Sequence, residues 1–220
     1  MSEKAGARGA ALLRPEEMPL FVLDEALLLP TLQLSLQVFE PRYIALTDYV
    51  LARPDRMMGI IRPRGEGVED DGEAGLYDVG CAGRIMRFAE SDDGRYIITL
   101  DGVARFRRVR CLPPREGYRR ALVDWSPYAH DRAGAGELRF DRARFALALE
   151  AYLDSRDLAG EWESFARVPL GRLVDAMAGL CPFSPEEKQA LLEAVDTETR
   201  CEIIVALFEI ATAPGSARVN

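Results

Sequence analysis

The apolar residues of this chain change their period once, and that change constrains the fold more than any single motif. Leu32, Leu34, Leu36 and Val38 alternate with polar Thr31, Gln33, Ser35 and Gln37, the period of two of a half-buried strand. Beyond residue 138 the apolar residues return every third or fourth position. Phe145, Leu149, Tyr152 and Leu153 form one stripe, and Leu170, Leu173, Val174, Met177 and Leu180 form another, the spacing of amphipathic helices. A chain divided in this way is α+β, with a β-rich, barrel-like part over residues 18–126 and a helical bundle over residues 138–213. Residues 1–17, rich in Ala, Gly and charge without periodicity, read as a flexible arm.

Inside the first part a helix is predicted over residues 40–52, where Pro41 suits a first turn and Tyr43, Leu46 and Val50 recur at three and four residues. A short buried strand over 57–61 precedes an acidic, glycine-rich loop over 64–78, which lacks the ligand order of a calcium loop. Strands follow at 85–88, 96–100, 104–112 and 121–125, with turns expected at 92–94 and at Asp101-Gly102. Residues 127–136 combine Pro, Gly and charge and read as a linker, short enough to keep the two halves packed together, with a peptide cleft expected at their junction. In the helical part Ser184-Pro185-Glu186-Glu187 carries the capping-box signature ahead of Leu191, Leu192 and Val195. A last helix carries Ile203, Ile204, Leu207, Phe208 and Ile210.

The chemistry that this composition excludes narrows the function. No run approaches the roughly 18 apolar residues of a membrane span, so no membrane partner is expected. The four cysteines, Cys81, Cys111, Cys181 and Cys201, include no C-x-x-C pair and the start does not read as a secretion signal, which points to a reduced, cytoplasmic protein without zinc. The two lysines, Lys4 and Lys188, do not follow glycine, so no phosphate-cradling P-loop is present. His130 is the one histidine and lies in the linker with no positioned Ser or Cys beside it in sequence, so a triad would have to be assembled wholly by folding. Ser184 with Lys188 is the one Ser-Lys pair close in sequence, and the serine is better explained as a helix cap. No catalytic residue, cofactor or metal is therefore expected, and a binding module is favoured over an enzyme.

One charge cluster has shape. Ten arginines face five carboxylates between residues 84 and 120, in a chain of net charge −8. Arg105, Arg107, Arg108 and Arg110 lie close together around Phe106 and Val109. Such a strand is either an anion-binding face, which would suit RNA, or a sheet edge blunted by charge. The net charge argues against nucleic acid.

The order of several motifs carries a family resemblance. Pro19-Leu20-Phe21-Val22-Leu23, Leu28-Leu29-Pro30, Leu36 and Phe39-Glu40-Pro41-Arg42-Tyr43 are followed by Val79-Gly80, Gly83-Arg84-Ile85, Asp93-Gly94-Arg95-Tyr96, Gly102, Arg105-Phe106-Arg107, Tyr118 and Ala121. Ser184 to Leu192, Asp196 and Arg200 complete the set. Together they resemble the N-terminal substrate-recognition domain of Lon proteases over residues 18–212. The family's ATPase and Ser-Lys protease domains lie outside these 220 residues. Thr31 departs from the glycine that the family usually places after the proline.

The resemblance implies a PUA-like pseudo-barrel joined to a helical bundle. It implies recognition of unfolded or extended polypeptide rather than its cleavage, and a Lon-type protease as a companion. Within the Phe39–Tyr43 motif the residues themselves suggest scaffolding: Phe39 and Tyr43 as core anchors, Pro41 at the first turn, and Glu40 with Arg42 capping the helix or pairing locally.

Overall fold

The computed structural model describes residues 15–65, 75–133, 138–156, 158, 165 and 167–213. Six strands form one sheet: β1 (Glu17–Val22), β2 (Gln33–Val38), β3 (Met57–Ile61), β4 (Val79–Glu90), β5 (Tyr96–Arg115) and β6 (Tyr118–Asp124), in the order β2-β5-β4-β3-β1-β6. β1 and β3 run parallel, with Leu20 opposite Gly59, and the other pairings are antiparallel. Helix α1 (Pro41–Leu51) connects β2 to β3. β6 also pairs the far half of β5, so the sheet curls back on itself. It is not a clean barrel, because β2 joins only residues 96–101 of β5 and forms with β4 and β5 a three-stranded leaf projecting from the curl.

The 20-residue length of β5 corrects the turn expected at Asp101-Gly102. The strand runs straight through. Gly102 N–H donates to Leu32 O at 2.9 Å, and a Cβ on Gly102 would lie 1.9 Å from the Leu29 carbonyl oxygen. The glycine therefore permits close packing of backbone on backbone rather than a turn. Next to it Val103 is bulged: Gly83 pairs with Gly102 and Ala82 with Ala104, leaving Val103 without a partner across the ladder. The real β5–β6 turn is Glu116-Gly117, where both residues have positive φ, 49° and 83°, as a two-residue hairpin turn requires.

Two apolar clusters follow from the alternation. Met18, Leu20, Met57, Ile61, Leu76, Ala82, Phe106, Ala121 and Val123 fill the interior of the curl. The Phe106 ring occupies space that side chains at Gly59 and Gly80 would take. The larger cluster is continuous from α1 through Ile60, Ile98 and Leu100 to the helices α2 (Arg142–Asp154), α3 (Leu170–Leu180), α4 (Pro185–Glu193) and α5 (Thr197–Thr212). β3 contributes to both clusters and is buried along its whole length.

The helix starts behave as their sequences dictate. The Ser184 hydroxyl accepts from Glu187 N–H, and the Glu187 carboxylate accepts from Ser184 N–H at 2.7 Å. Asp141 and Asp196 cap α2 and α5 through Ala143 N–H and Thr199 N–H. Tyr152, Phe183 and Phe208 gather between the helices, with the rings of Tyr152 and Phe208 4.5 Å apart. Leu180, Val195 and Ile210, expected inside, are exposed. Leu180 is the last residue of α3 and Val195 lies in the link between α4 and α5, where the helical period no longer governs direction.

The segment expected to be a plain linker instead forms a 3-10 stretch, Ser126–Ala133, that joins the halves. Its Asp131 carboxylate accepts from Arg105 N–H at 2.8 Å, from Arg105 Nε at 3.0 Å and from Arg105 Nη2 at 2.8 Å. Arg105 Nη1 donates to the carbonyls of Leu192 and Ala194 at the end of α4. A second buried pair, Arg200 with Asp175 at 2.7 Å, ties α5 to α3. Thr31 Oγ1 donates to the other oxygen of Asp175 at 2.6 Å, a bond that the glycine usual at this place could not make.

Two outcomes follow. Gly102→Ala forces the Leu29 backbone to move, and overpacking of this kind costs roughly 3 kcal/mol, a drop in Tm of about 6–12 °C for a chain of this size, readable by calorimetry. For Asp131, burial pushes the carboxyl pKa up, but its bonds to Arg105 outweigh this and hold it below the ordinary value. A depressed carboxylate contributes stability that is full above its unfolded pKa of about 3.9 and is lost as pH falls through the folded value. Asp131→Ala, which strands the Arg105 cation, is expected to cost about 3–5 kcal/mol at neutral pH. The gap between wild type and variant in urea unfolding should stay level down to about pH 4 and shrink below it.

Candidate recognition surface

The Phe39–Tyr43 motif divides its residues between inside and outside. Tyr43 is a core anchor: its ring stacks on Phe21 at 4.0 Å and its hydroxyl donates to Val22 O at 3.1 Å, fastening α1 to β1. Phe39 is not. It is 63% exposed, because the preceding Val38 turns inward and the next residue of an extended segment must face the other way. Pro41 holds the first helical position, Glu40 precedes the helix without a side-chain cap bond, and its carboxylate takes Arg42 at 2.7 Å. The outer side of α1, with Ile44, Ala45 and Tyr49, borders an open groove of about 570 Å³ whose other wall is Arg115 and Glu116 of the β5–β6 hairpin. The Arg115 guanidinium lies 4.5 Å above the Tyr49 ring.

Exposed apolar residues also collect at the free end of the leaf. Met86, Phe88 and Ile97 are all exposed. Val38 stands opposite Tyr96, Gln37 opposite Ile97, and Phe88 opposite Ile98. This register brings Phe39, Phe88 and Ile97 to one end of the three strands but on two faces: Phe88 shares the inner face with Tyr96, which it meets edge-on at 4.9 Å, and Ile97 lies on the outer face with Gln37.

The four arginines singled out on β5 do not share a face. Arg105 is buried in the junction described above. Arg107 pairs with Asp124 at 2.6 Å and Arg108 with Asp78 at 2.7 Å, a carboxylate that Arg64 also holds, so two of the remaining three cations are already engaged in ion pairs. Arg110 is exposed on the same strand. The arrangement gives an RNA-binding face no support. Asp131 and Asp175, which hold the buried arginines, were invisible to sequence reasoning because their partners are 25 to 26 residues away. Thr31 was flagged by its departure from the family pattern.

The nucleophile candidates have ordinary surroundings. Burial pushes the thiols of Cys181 and Cys201 up to about 11 and about 12, and that of Cys81 further, all away from the reactive thiolate. Ser184 is engaged as a cap, and Lys188 Nζ donates to Glu25 O at 2.8 Å rather than approaching the serine. His130 is half-exposed beside Arg105 and Asp131. Among the described residues no group of three His, Cys, Asp or Glu side chains is placed to hold a metal, and no helix is long and apolar enough to cross a membrane.

Known proteins are similar to this chain in sequence and in arrangement. The chain is 30% identical over 201 residues to Lon protease 2 of Sorangium cellulosum and 28% identical over 208 residues to Lon protease 2 of Myxococcus xanthus. These alignments cover 87% and 88% of this chain, which spans about a quarter (24%) of the length of each relative. The crystal structure of a Lon N-terminal domain protein from Xanthomonas campestris superposes with a TM-score of 0.64 at 26% identity, covering 86% of this chain and 97% of that one. The N-terminal domain of a Mycobacterium avium complex Lon protease shares the fold, with a TM-score of 0.59 at 15% identity over 88% of this chain and 98% of that one. Residues 17–209 match the substrate-binding domain of ATP-dependent protease La (LON), and the chain belongs to that family.

Proposed function

We propose that this chain recognises unfolded or extended polypeptide in the cytoplasm, presents it to a Lon-type protease, and performs no catalysis itself. The observation that carries the reading is the exposure of Phe39, Phe88 and Ile97 around the free end of the leaf, with Phe39 and Ile97 away from the helix-facing core, on a member of the Lon substrate-binding family. A folded client hides its apolar side chains, whereas an unfolded one offers them, so such a tip selects for unfolding rather than for one sequence. The exposed rings contribute to binding without taking part in the core, which lets the recognition surface vary independently of stability. Buried thiols with raised pKa fit a reducing compartment.

Fluorescently labelled, permanently unfolded casein should bind with a Kd on the order of tens of micromolar by anisotropy. The double variant Phe39→Ser, Ile97→Thr should weaken that binding about tenfold, since each loses most of an apolar contact, while leaving Tm within a degree or two. Absence of casein binding, or binding untouched by the double variant, overturns the reading. Casein cleavage by the pure protein that disappears in Ser184→Ala would overturn its non-catalytic part.

A further inference from the structure

The leaf has a second feature that its apolar tip does not use. β2 pairs with β5 on one side, and among the described residues no strand pairs its other side. The hydrogen bond from Gly102 N–H to Leu32 O sets the phase of the ladder. In an antiparallel pair the bonding residues alternate, so Leu34, Leu36 and Val38 turn their backbone groups to β5, while Gln33, Ser35 and Gln37 turn theirs outward. The strand's own residues carry neither of two common guards. Its six residues, QLSLQV, include no charge and no proline, where sheet edges are normally blunted by one or the other.

We propose that this edge accepts an extended segment of the client as an added strand, an inference that rests on the polypeptide-recognition reading and locates part of it. The occupant follows from the edge itself. Outward N–H and C=O groups at every second residue are matched by another extended backbone, whatever its side chains. On the inner face of the leaf Leu34 and Leu36 are half-buried. β2 enters beside α3, where Leu32 lies against Gly179 and Leu180 is 77% exposed. On the outer face are Gln33, Ser35 and Gln37. The segment that fits alternates apolar with polar residues and carries no charge at its centre, the pattern of a strand torn from a client's own half-buried sheet. A second copy joined through β2 alone is the poorer occupant: two six-residue strands cover far less than the roughly 1,200 Å² of a specific dimer.

The test uses the whole chain and a fluorescein-labelled ten-residue peptide of alternating valine and threonine. Two further peptides carry N-methyl groups on one or the other alternate set of residues, which removes the N–H groups of one strand edge and leaves the side chains in place. Methylating one set should abolish binding and methylating the other should preserve it. Ser35→Pro, which deletes an outward N–H on an edge strand where proline is tolerated, should weaken the unmodified peptide about tenfold. Ser35→Ala should leave it unchanged. Equal binding of all three peptides overturns the proposal even if casein still binds, in which case the apolar tip alone carries recognition. No binding of the unmodified peptide also overturns it, and failure of casein as well removes the recognition reading beneath it. A dimer in sedimentation that Ser35→Pro converts to monomer would assign the edge to a second copy and likewise overturn the client-strand proposal.

Discussion

The guanidinium of Arg105 is the contact on which the arrangement of the two halves depends. It projects from the middle of β5, is enclosed by Asp131 from the 3-10 segment, and reaches the last carbonyls of α4. Three separate parts of the chain thus meet one buried cation. Moving any of them away would leave unpaired charge or unpaired carbonyls in a dry site, a cost of several kcal/mol. The apolar cluster shared by sheet and helices supplies most of the cohesion, but it is non-directional and tolerates sliding. The ion pair adds direction. With Arg200, Asp175 and Thr31 making a second such tie, the helices are set at a defined angle to the sheet, and α3 is held beside the entry to β2.

That placement separates what must be rigid from what must be available. Tyr43 on Phe21 and Val22 locks α1 against the sheet, while the first residue of the same motif, Phe39, is left to solvent. The leaf is anchored at its base, where Gly102 packs on Leu29, and carries its exposed apolar residues at the other end. Under the proposed role, the exposed surface can then be apolar without drawing the core into the exchange.

Legibility in the sequence tracked the range of the interaction. The capping box at Ser184 was readable because both partners lie within four residues and the chemistry is local. The strand alternation around β2 and the helical stripes at Phe145 and Leu173 were readable for the same reason. Phe39 was misread because a bulky apolar residue before a helix usually acts as a staple, and the inward turn of Val38 took that place first. Asp101-Gly102 looked like a turn because nothing nearby showed that Leu29 would lie against the glycine, 73 residues earlier in the chain. Arg105 looked like one of several surface cations, since its acceptors on α4 lie 87 and 89 residues away.

The bulge at Val103 decides which compartment receives charge. In a regular strand the residues sharing a face with Ile98 and Leu100 would be Ala104 and Phe106, and Arg105 would point into the apolar interior of the curl among Met18, Leu20 and Ile61. One unpaired residue reverses the parity. Before it, the even-numbered side chains of β5 serve the helix-facing core; after it, Phe106 fills the curl and Arg105 turns toward the helices. A single strand can thus belong to two layers of opposite chemical need, and a slip of one residue in its pairing would drive a cation into an oily cavity and expel a phenyl ring from it.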